Sequence, residues 1–280
     1  MAAWSRGARD RRASIGFVPT MGALHEGHLS LVRRAVEEND LTCVSVFVNP
    51  LQFDDPRDLD CYPRDLAGDR ALLSEAGCAM VFTGTLEGFF PEAAKPGAIE
   101  RRDPGPEAEG LEGAFRRGHF AGVATICARL FELVRPRNAY FGEKDFQQCR
   151  VVERISRELG YPRIVVCPTS RDPDGLARSS RNLRLNPQER VQALAISRAL
   201  FSARTAWGEG QRDARRLRGI LHEHLENSGI ALEYAEVRDP SCWTAGAPTK
   251  PLVEARALVA AKVGAVRLID NLSLSEPGRG

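Results

Sequence analysis

Two histidines lie three residues apart in the stretch GFVPTMGALHEGHLSLV, which covers residues 16–32. A short apolar run precedes His25 and His28 and a periodic apolar segment follows them, so the pair lies where a strand leads into a helix. The first turn of a helix favours a phosphate through its exposed N–H groups and dipole, and Gly22 and Gly27 permit close approach. Imidazoles at positions i and i+3 share a helix face and can both donate to phosphate oxygens. The stretch predicts a nucleotide site that stabilises charge as an α-phosphorus is attacked.

Two further stretches carry groups that suit phosphate. Lys144 lies in GEKD, after the apolar run 139–141, and it is one of only four lysines among 39 basic residues. At the end of a strand its ammonium would reach a phosphate as a point charge, whereas on a surface turn it would pair with a neighbouring carboxylate. The stretch RSSRN at 178–182 offers two hydroxyls and the guanidinium of Arg181. Without a ligand, such a serine-rich turn would be a linker.

The first part of the chain alternates between strand-like and helical patterns. Helical periodicity follows the first strand and recurs at 66–76 and 120–134. The strand-like runs are residues 15–18, 41–48, 78–82, 139–141 and 161–168. This alternation predicts βαβ crossovers and a parallel sheet covered on both faces, which binds ligands at the carboxyl ends of its strands.

The regular alternation of strand-like and helical segments ends at about residue 176. Helices are predicted from Asn186 to about Trp207, at 213–227, and at 252–263 between two strand-like runs, ALEYAEV and AVRLIDNLSL. We therefore expect an α/β domain over 1–172 and a small α+β domain over 173–280. The stretch 91–110 is rich in proline, glycine and charge, which predicts an exposed, flexible loop.

Composition narrows the class of protein further. The formal net charge of the 280 residues is +2, with acidic residues mixed among the basic ones, which argues against a nucleic-acid partner. The seven cysteines include no CxxC pair, which favours a reduced, cytoplasmic protein without a zinc site. No run approaches the roughly 18 apolar residues of a membrane span. Acidic small molecules remain candidate partners.

Seven sequence blocks together resemble the pantoate–β-alanine ligase family, in order and in spacing, from about residue 13 to 273. They are PTMGALHEGHLSLV, VFVNPLQF, YPRD, GHFAGVAT, YFGEKDFQQ, SSRN and RLIDN. The resemblance implies a Rossmann-like sheet of the HxGH nucleotidyltransferase type, a smaller C-terminal lid domain and a cytoplasmic homodimer. It also implies ATP-dependent condensation of (R)-pantoate with β-alanine through pantoyl adenylate, with Mg²⁺, giving pantothenate, AMP and pyrophosphate in the coenzyme A pathway.

The resemblance also implies which residues form the site. Its catalytic residues would be His25, His28, Lys144 and Arg181. Pantoate and β-alanine would contact Gln52 and Gln148, and Asp69 would lie near Mg²⁺. The implied ATP-binding residues are Met21, Gly22, Ala23, Leu24, His25, Glu26, Gly27, His28, Gly142, Glu143, Lys144, Asp145, Ser170, Arg178, Ser179, Ser180 and Arg181.

The sequence departs from the family pattern at three places. Arg178 and Ser170 replace apolar residues on the adenine side, where Arg178 could stack on the base or turn to solvent. The N-terminal segment resembles only the end of the family's leading helix, so either an edge strand is absent or the start of the sequence is misassigned. Two other functions stay open. One is transfer of AMP to a phosphorylated acceptor, which usually requires basic residues in place of Gln52 and Gln148, and the other is non-catalytic nucleotide binding.

Overall fold

The computed structural model describes residues 1–93, 96–244 and 246–275. The strands are β1 (Ile15–Thr20), β2 (Leu41–Val46), β3 (Met80–Phe82), β4 (Asn138–Gly142), β5 (Arg163–Cys167), β6 (Ala231–Arg238), β7 (Arg256–Val263) and β8 (Val266–Ser273). The α-helices are α1 (Ala2–Asp10), α2 (Glu26–Glu38), α3 (Pro56–Asp60), α4 (Leu66–Glu75), α5 (Leu86–Phe89), α6 (Leu111–Phe115), α7 (His119–Val134), α8 (Phe146–Leu159), α9 (Pro187–Gly208) and α10 (Ala214–Leu225). Short 3₁₀ helices are Pro50–Gln52, Pro96–Ala98, Pro106–Ala108, Glu143–Asp145 and Ser180–Arg184. Within these ranges, no helix has both the length and the apolar character needed to cross a membrane.

The first five strands form a parallel sheet in the order β3-β2-β1-β4-β5. The chain builds outward from β1 in one direction through β2 and β3, and in the other through β4 and β5. The point where the order reverses therefore lies between β1 and β4. In such sheets a crevice opens at this point, outside the carboxyl ends of the strands, and ligands bind there. The predicted α/β fold with a parallel sheet is confirmed.

Helices cover both faces of this sheet because alternate residues of each strand are apolar on opposite sides. On β1, Phe17 packs into one buried cluster with Phe131 of α7, while Val18 packs into another with Val32 of α2. Neither Phe17 nor Val18 has any exposed surface. Burial on two faces explains the near-continuous apolar runs that mark the central strands in the sequence.

The chain divides into two compact units. The larger is formed by Met1–Glu109 and Arg116–Ser170, and the smaller by Gly110–Phe115 and the chain from Arg171 onward. In the smaller unit, β6, β7 and β8 form an antiparallel sheet with β7 in the middle. α9 and α10 share one apolar core with that sheet. The predicted α+β character of this part is confirmed.

The helix predicted at 252–263 is wrong, because Arg256–Val263 is the central strand β7. Its sequence, RALVAAKV, has alanines that favour a helix when isolated. Within the sheet, seven of the eight residues are buried, so almost no polar alternation marks the strand. Pairing with β6 and β8 therefore overrides the local helix preference.

The stretch 91–110 is more firmly held than its composition suggests. The expectation that it is exposed is wrong at Ile99, which is buried in the core of the larger unit. The side-chain amide of Gln147, on α8, donates to the carbonyl oxygens of Glu107 and Glu109 at 3.1 Å each. Because these backbone acceptors are satisfied by a buried amide, the end of the stretch is fixed against α8.

An ion pair ties α6 to β8 within the smaller unit. Arg267 of β8 forms a bidentate pair with Glu112, with Nη1–Oε2 and Nη2–Oε1 distances of 2.8 and 2.6 Å. The hydroxyl of Tyr234 donates to the same carboxylate at 2.9 Å. Glu112 is 6% exposed, so its charge depends on these partners rather than on water.

Glu112→Gln should lower the free energy of unfolding of the smaller unit by roughly 2 kcal/mol, because Arg267 then loses its bidentate carboxylate and keeps only Glu233 as a charged partner. Urea denaturation followed by tryptophan fluorescence measures this, since Trp207 and Trp243 both belong to that unit. Asp174→Asn is the control, because its ion pair with Arg190 lies in the same unit and is partly exposed. Equal losses in the two variants would contradict the role assigned to Glu112.

Candidate active site

The loop after β1 has an unusual backbone that a buried carboxylate stabilises. Gly22 and Ala23 have left-handed φ angles of 86° and 49°. The two carboxylate oxygens of Asp69, on α4, accept the backbone N–H groups of Ala23 at 3.1 Å and Leu24 at 2.7 Å. A Cβ on Gly22 would lie 2.9 Å from Asp69 Oδ2 and from Val46 Cγ1, so only glycine fits. Burial raises the pKa of Asp69, and the two N–H donors oppose that rise.

The two histidines cap the helix that this loop enters. His25 is the N-cap of α2, and its Nδ1 accepts the backbone N–H of Gly27 at 3.1 Å. In return, Nδ1 of His28 accepts the backbone N–H of His25 at 3.4 Å. The same reciprocal pattern is usually built from a Ser or Thr and a Glu or Gln. Since each Nδ1 is an acceptor, each neutral ring carries its proton on Nε2.

The structure keeps His28 neutral. The pKa of His28 is lowered to about 3, first by burial and then by the charge that the nearby His25 would carry. The two ring centroids are 4.1 Å apart, so a charge on one ring opposes a charge on the other. Although part of His28 is exposed at the surface, the protein around it disfavours an imidazolium. A neutral ring can donate a hydrogen bond through Nε2 without transferring a proton.

Lys144 and Asp145 follow β4, the strand beside β1. Both charges act on the pKa of His28, with Asp145 raising it and Lys144 lowering it, so they lie within electrostatic reach of the ring. Lys144 Nζ is 3.0 Å from Asp145 Oδ1, and the lysine side chain is 19% exposed. The ion pair of the alternative prediction is therefore present, whereas the contact of Lys144 with a phosphate stays a prediction. The structure brings His25, His28, Lys144 and Asp145 to one edge of the sheet.

Gln52 is buried at the end of the 3₁₀ helix Pro50–Gln52, which follows β2. Asn49, which the sequence analysis overlooked, sets the direction of the Gln52 amide. Asn49 Oδ1 accepts from Leu51 N at 3.2 Å, so its Nδ2 is the donor to Gln52 Oε1 at 2.9 Å. Gln52 is therefore left with its NH₂ group as a donor. The signal for Asn49 was its position as an N-cap before a proline.

Gln148 and its neighbour differ in surroundings. Gln148 is half-buried near the start of α8, close in sequence to the end of β4. Gln147 is buried and fixes the loop at residues 107–109, so it is a structural residue. The amide of Gln147 thus holds this loop, which makes Gln148 the candidate for contact with a substrate.

Comparison with known proteins gives one consistent result. The family model described as pantoate-beta-alanine ligase matches residues 1–273. Pantothenate synthetase 1 of Bradyrhizobium diazoefficiens is 49% identical over 269 residues, covering 95% of this chain and 93% of its own. The crystal structure of pantothenate synthetase from Thermus thermophilus has a TM-score of 0.89 at 44% identity, covering 99% of this chain and 98% of its own.

A further solved structure carries ligands. The pantoate-beta-alanine ligase of Francisella tularensis, complexed with beta-gamma ATP and beta-alanine, has a TM-score of 0.78 at 32% identity, with 99% and 97% of the two chains covered. The chain belongs to the pantoate-beta-alanine ligase family. Pantoate-beta-alanine ligases are enzymes, and this chain is therefore an enzyme of that family.

The site residues predicted in the smaller unit of this ligase family member lie around the 3₁₀ helix Ser180–Arg184. Ser179 is its N-cap, and its hydroxyl accepts from Arg181 N at 3.3 Å. Ser180 is buried. Arg178 forms an ion pair with Asp172, with Nε 3.0 Å from Oδ1, and its stacking on the base stays a prediction. Ser170, half-buried, is the last residue of the larger unit.

The donor set at the site suits Mg²⁺ only as a companion of phosphate. Among residues 1–93, 96–244 and 246–275, no three His, Cys, Asp or Glu side chains cluster in a way that could hold a metal. Mg²⁺ commonly takes one or two carboxylates together with substrate phosphates and water. Both oxygens of Asp69 already accept backbone N–H groups. Its assignment to Mg²⁺ stays a prediction.

The neutral state of His28 predicts a pH-dependent stability. Its folded pKa of about 3 lies below the ordinary value of 6.5. The contribution of neutral His28 to the free energy of unfolding is therefore complete above pH 6.5 and is lost as the pH falls toward 3. Between pH 6.5 and 4.5, the wild type should lose on the order of 1–2 kcal/mol more than His28→Gln. Urea denaturation at each pH measures it, with His224→Gln, at an exposed position, as control. Parallel pH profiles for wild type and His28→Gln would contradict the assignment.

Proposed function

We propose that this enzyme condenses pantoate with β-alanine at the expense of ATP, through a pantoyl-adenylate intermediate. The observation that supports this most is the convergence of His25, His28 and Lys144 where β1 and β4 end. ATP and β-alanine are the ligands of the Francisella tularensis relative. Mg²⁺ is written here as part of the substrate, MgATP, because phosphates supply most of its ligands.

In the first step, a carboxylate oxygen of pantoate attacks the α-phosphorus of ATP. A P–O bond to the carboxylate forms, the bond from the α-phosphorus to the bridging oxygen breaks, and pyrophosphate leaves. The N–H groups at the start of α2 and the Nε2–H groups of His25 and His28 stabilise the negative charge that develops. Lys144 adds a positive charge from the 3₁₀ helix that follows β4. The neutrality of His28 means that it contributes a hydrogen bond and not a proton.

Pantoate is proposed to bind the amides of Gln52 and Gln148. Asn49 orients Gln52 so that its NH₂ group donates, which suits the carboxylate or a hydroxyl of pantoate. A neutral amide holds the carboxylate without neutralising it, so the nucleophile keeps its charge. This neutral pair fits a phosphorylated acceptor of AMP less well, because such acceptors need positive charge.

In the second step, the neutral amine of β-alanine attacks the acyl carbon of the adenylate. A C–N bond forms, the bond from the acyl carbon to the AMP oxygen breaks, and the nitrogen loses a proton to solvent. The products are pantothenate and AMP. We propose that the smaller unit acts as a lid, with Ser179, Ser180 and Arg181 directed to phosphate oxygens, since an adenylate must be protected from water.

We further propose a cytoplasmic homodimer. All seven cysteines lie among the described residues and none forms a disulfide, which agrees with a reducing compartment. Light scattering coupled to size-exclusion chromatography measures the mass in solution. A mass near twice 30.8 kDa is expected, and a mass near that of one chain would contradict the dimer.

One assay separates the proposed reaction from its rivals. The protein is incubated with ATP, Mg²⁺ and pantoate, with and without β-alanine, and pyrophosphate, AMP and pantothenate are quantified. Pyrophosphate should form with pantoate alone, and pantothenate only when β-alanine is added. His28→Ala should lower the rate of the first step by about 100-fold or more while ATP still binds. If ATP binds but no product forms, the protein is a non-catalytic relative.

Asp69→Asn distinguishes a metal ligand from a residue that shapes the loop. An asparagine places its NH₂ group against one of the two N–H groups of Ala23 and Leu24, so the loop should open and ATP affinity should fall about tenfold. Calorimetric titration with ATP is performed in Mg²⁺ and, separately, in EDTA, with the exposed Glu75→Gln as control. A loss in both buffers supports the structural role. A loss confined to Mg²⁺ would show that Asp69 acts through the metal.

A further inference from the structure

His119, at the start of α7, holds the backbone of Gln52. Its Nδ1 lies 2.8 Å from the carbonyl oxygen of Gln52, and the ring is 5% exposed. A carbonyl oxygen only accepts, so Nδ1 carries the proton. Nε2 of the same ring lies 3.2 Å from Nη1 of Arg116, which only donates, so Nε2 is an acceptor. The two partners together select one neutral tautomer.

Arg116 is a second donor to the Gln52 backbone. Its Nη2 donates to the same carbonyl oxygen of Gln52 at 3.3 Å, and its Nε lies 3.6 Å from Oδ1 of Asp54. The guanidinium therefore connects Asp54, two residues after Gln52, to the imidazole of His119. Because a buried carbonyl without donors is costly, both donors fix the position of this peptide group.

Helix α7 also packs directly against the backbone of Leu51 and Gln52. A Cβ on Gly122 would lie 2.1 Å from the carbonyl oxygen of Leu51 and 2.7 Å from Gln52 N. Asn49 Nδ2, which sets the Gln52 amide, also donates to the carbonyl oxygen of Gly122 at 3.2 Å. The first turns of α7 thus contact both the backbone of Gln52 and the residue that orients its side chain.

We propose that His119 is a positioning residue for the pantoate site. By donating Nδ1–H to the Gln52 carbonyl, it holds the Gln52 amide where it meets the carboxylate or hydroxyl of pantoate. This inference rests on the proposed function, in which Gln52 binds pantoate. His119 itself does not touch the substrate. A displacement of about 1 Å in a group that orients a substrate is enough to lower catalysis about 100-fold.

A matched pair of substitutions tests the donor atom. An asparagine at 119 places its amide near the position of Nδ1 and keeps the donor to Gln52. A glutamine places its amide near the position of Nε2, where it faces the Arg116 guanidinium, and leaves the carbonyl unsatisfied. Both variants stay polar and similar in size, so both are expected to fold. Thr125→Val is the control, since it removes a buried hydrogen-bonding group from α7 two turns further on.

The measurement is pantoate-dependent release of pyrophosphate, with KM determined separately for pantoate and for ATP. His119→Gln should raise the KM for pantoate about tenfold or more and leave the KM for ATP within twofold. His119→Asn should stay within about threefold of the wild type for both. A purely structural role would lower the melting temperature of both variants and of Thr125→Val without this split.

The possible results distinguish a failure of the positioning role of His119 from a failure of the proposed function. An active wild type whose pantoate KM is unchanged by His119→Gln would overturn the positioning role and leave the proposed function intact. Equal increases in KM for pantoate and ATP would overturn it too. A wild type that releases no pyrophosphate with pantoate would instead overturn the proposed function.

Discussion

The hydrogen bonds at the start of α2 determine the chemistry available to this protein. The first turn of a helix presents backbone N–H groups that need acceptors, and here the Nδ1 atoms of His25 and His28 supply two of them. This requirement sets both rings in the tautomer with the proton on Nε2. One pair of side chains thus completes a helix cap and carries hydrogen-bond donors beside a phosphate-binding helix terminus. The low pKa of His28 follows from the same close packing.

The remaining parts of the site depend on where β1 ends. Because β1 and β4 are parallel neighbours, the residues after each of them meet at one edge of the sheet. The left-handed turn at Gly22 and Ala23 directs the chain into α2, and the carboxylate of Asp69 satisfies the N–H groups that this turn exposes. On the side of β2, Asn49 fixes the Gln52 amide in the same way. The loop that leads into α2 and the Gln52 amide are therefore each held by a buried side chain that hydrogen-bonds to them.

The sequence predicts some of these features and not others, for physical reasons. The central strands β1, β2 and β4 are predictable because burial on both faces makes them short apolar runs between amphipathic helices. The same reasoning fails at β7, where alanines that favour a helix lie in the middle of a sheet. It also fails to predict the contact between Asp69 and Leu24, which are 45 residues apart in the chain. The histidines are recognisable as candidates for phosphate contacts, but a cap built from imidazoles resembles none of the usual Ser, Thr or Asp signals.

The protonation of the two imidazoles can be measured directly by ¹⁵N NMR on protein labelled at histidine, with His25→Gln and His28→Gln used for assignment. The spectra are recorded from pH 5 to 8, with and without a non-hydrolysable ATP analogue. We predict that Nδ1 of both rings is unprotonated and Nε2 is protonated, and that the Nε2 signals shift when the nucleotide binds. A proton on Nδ1 of His28, or Nε2 signals that do not respond to nucleotide, would contradict the proposed site.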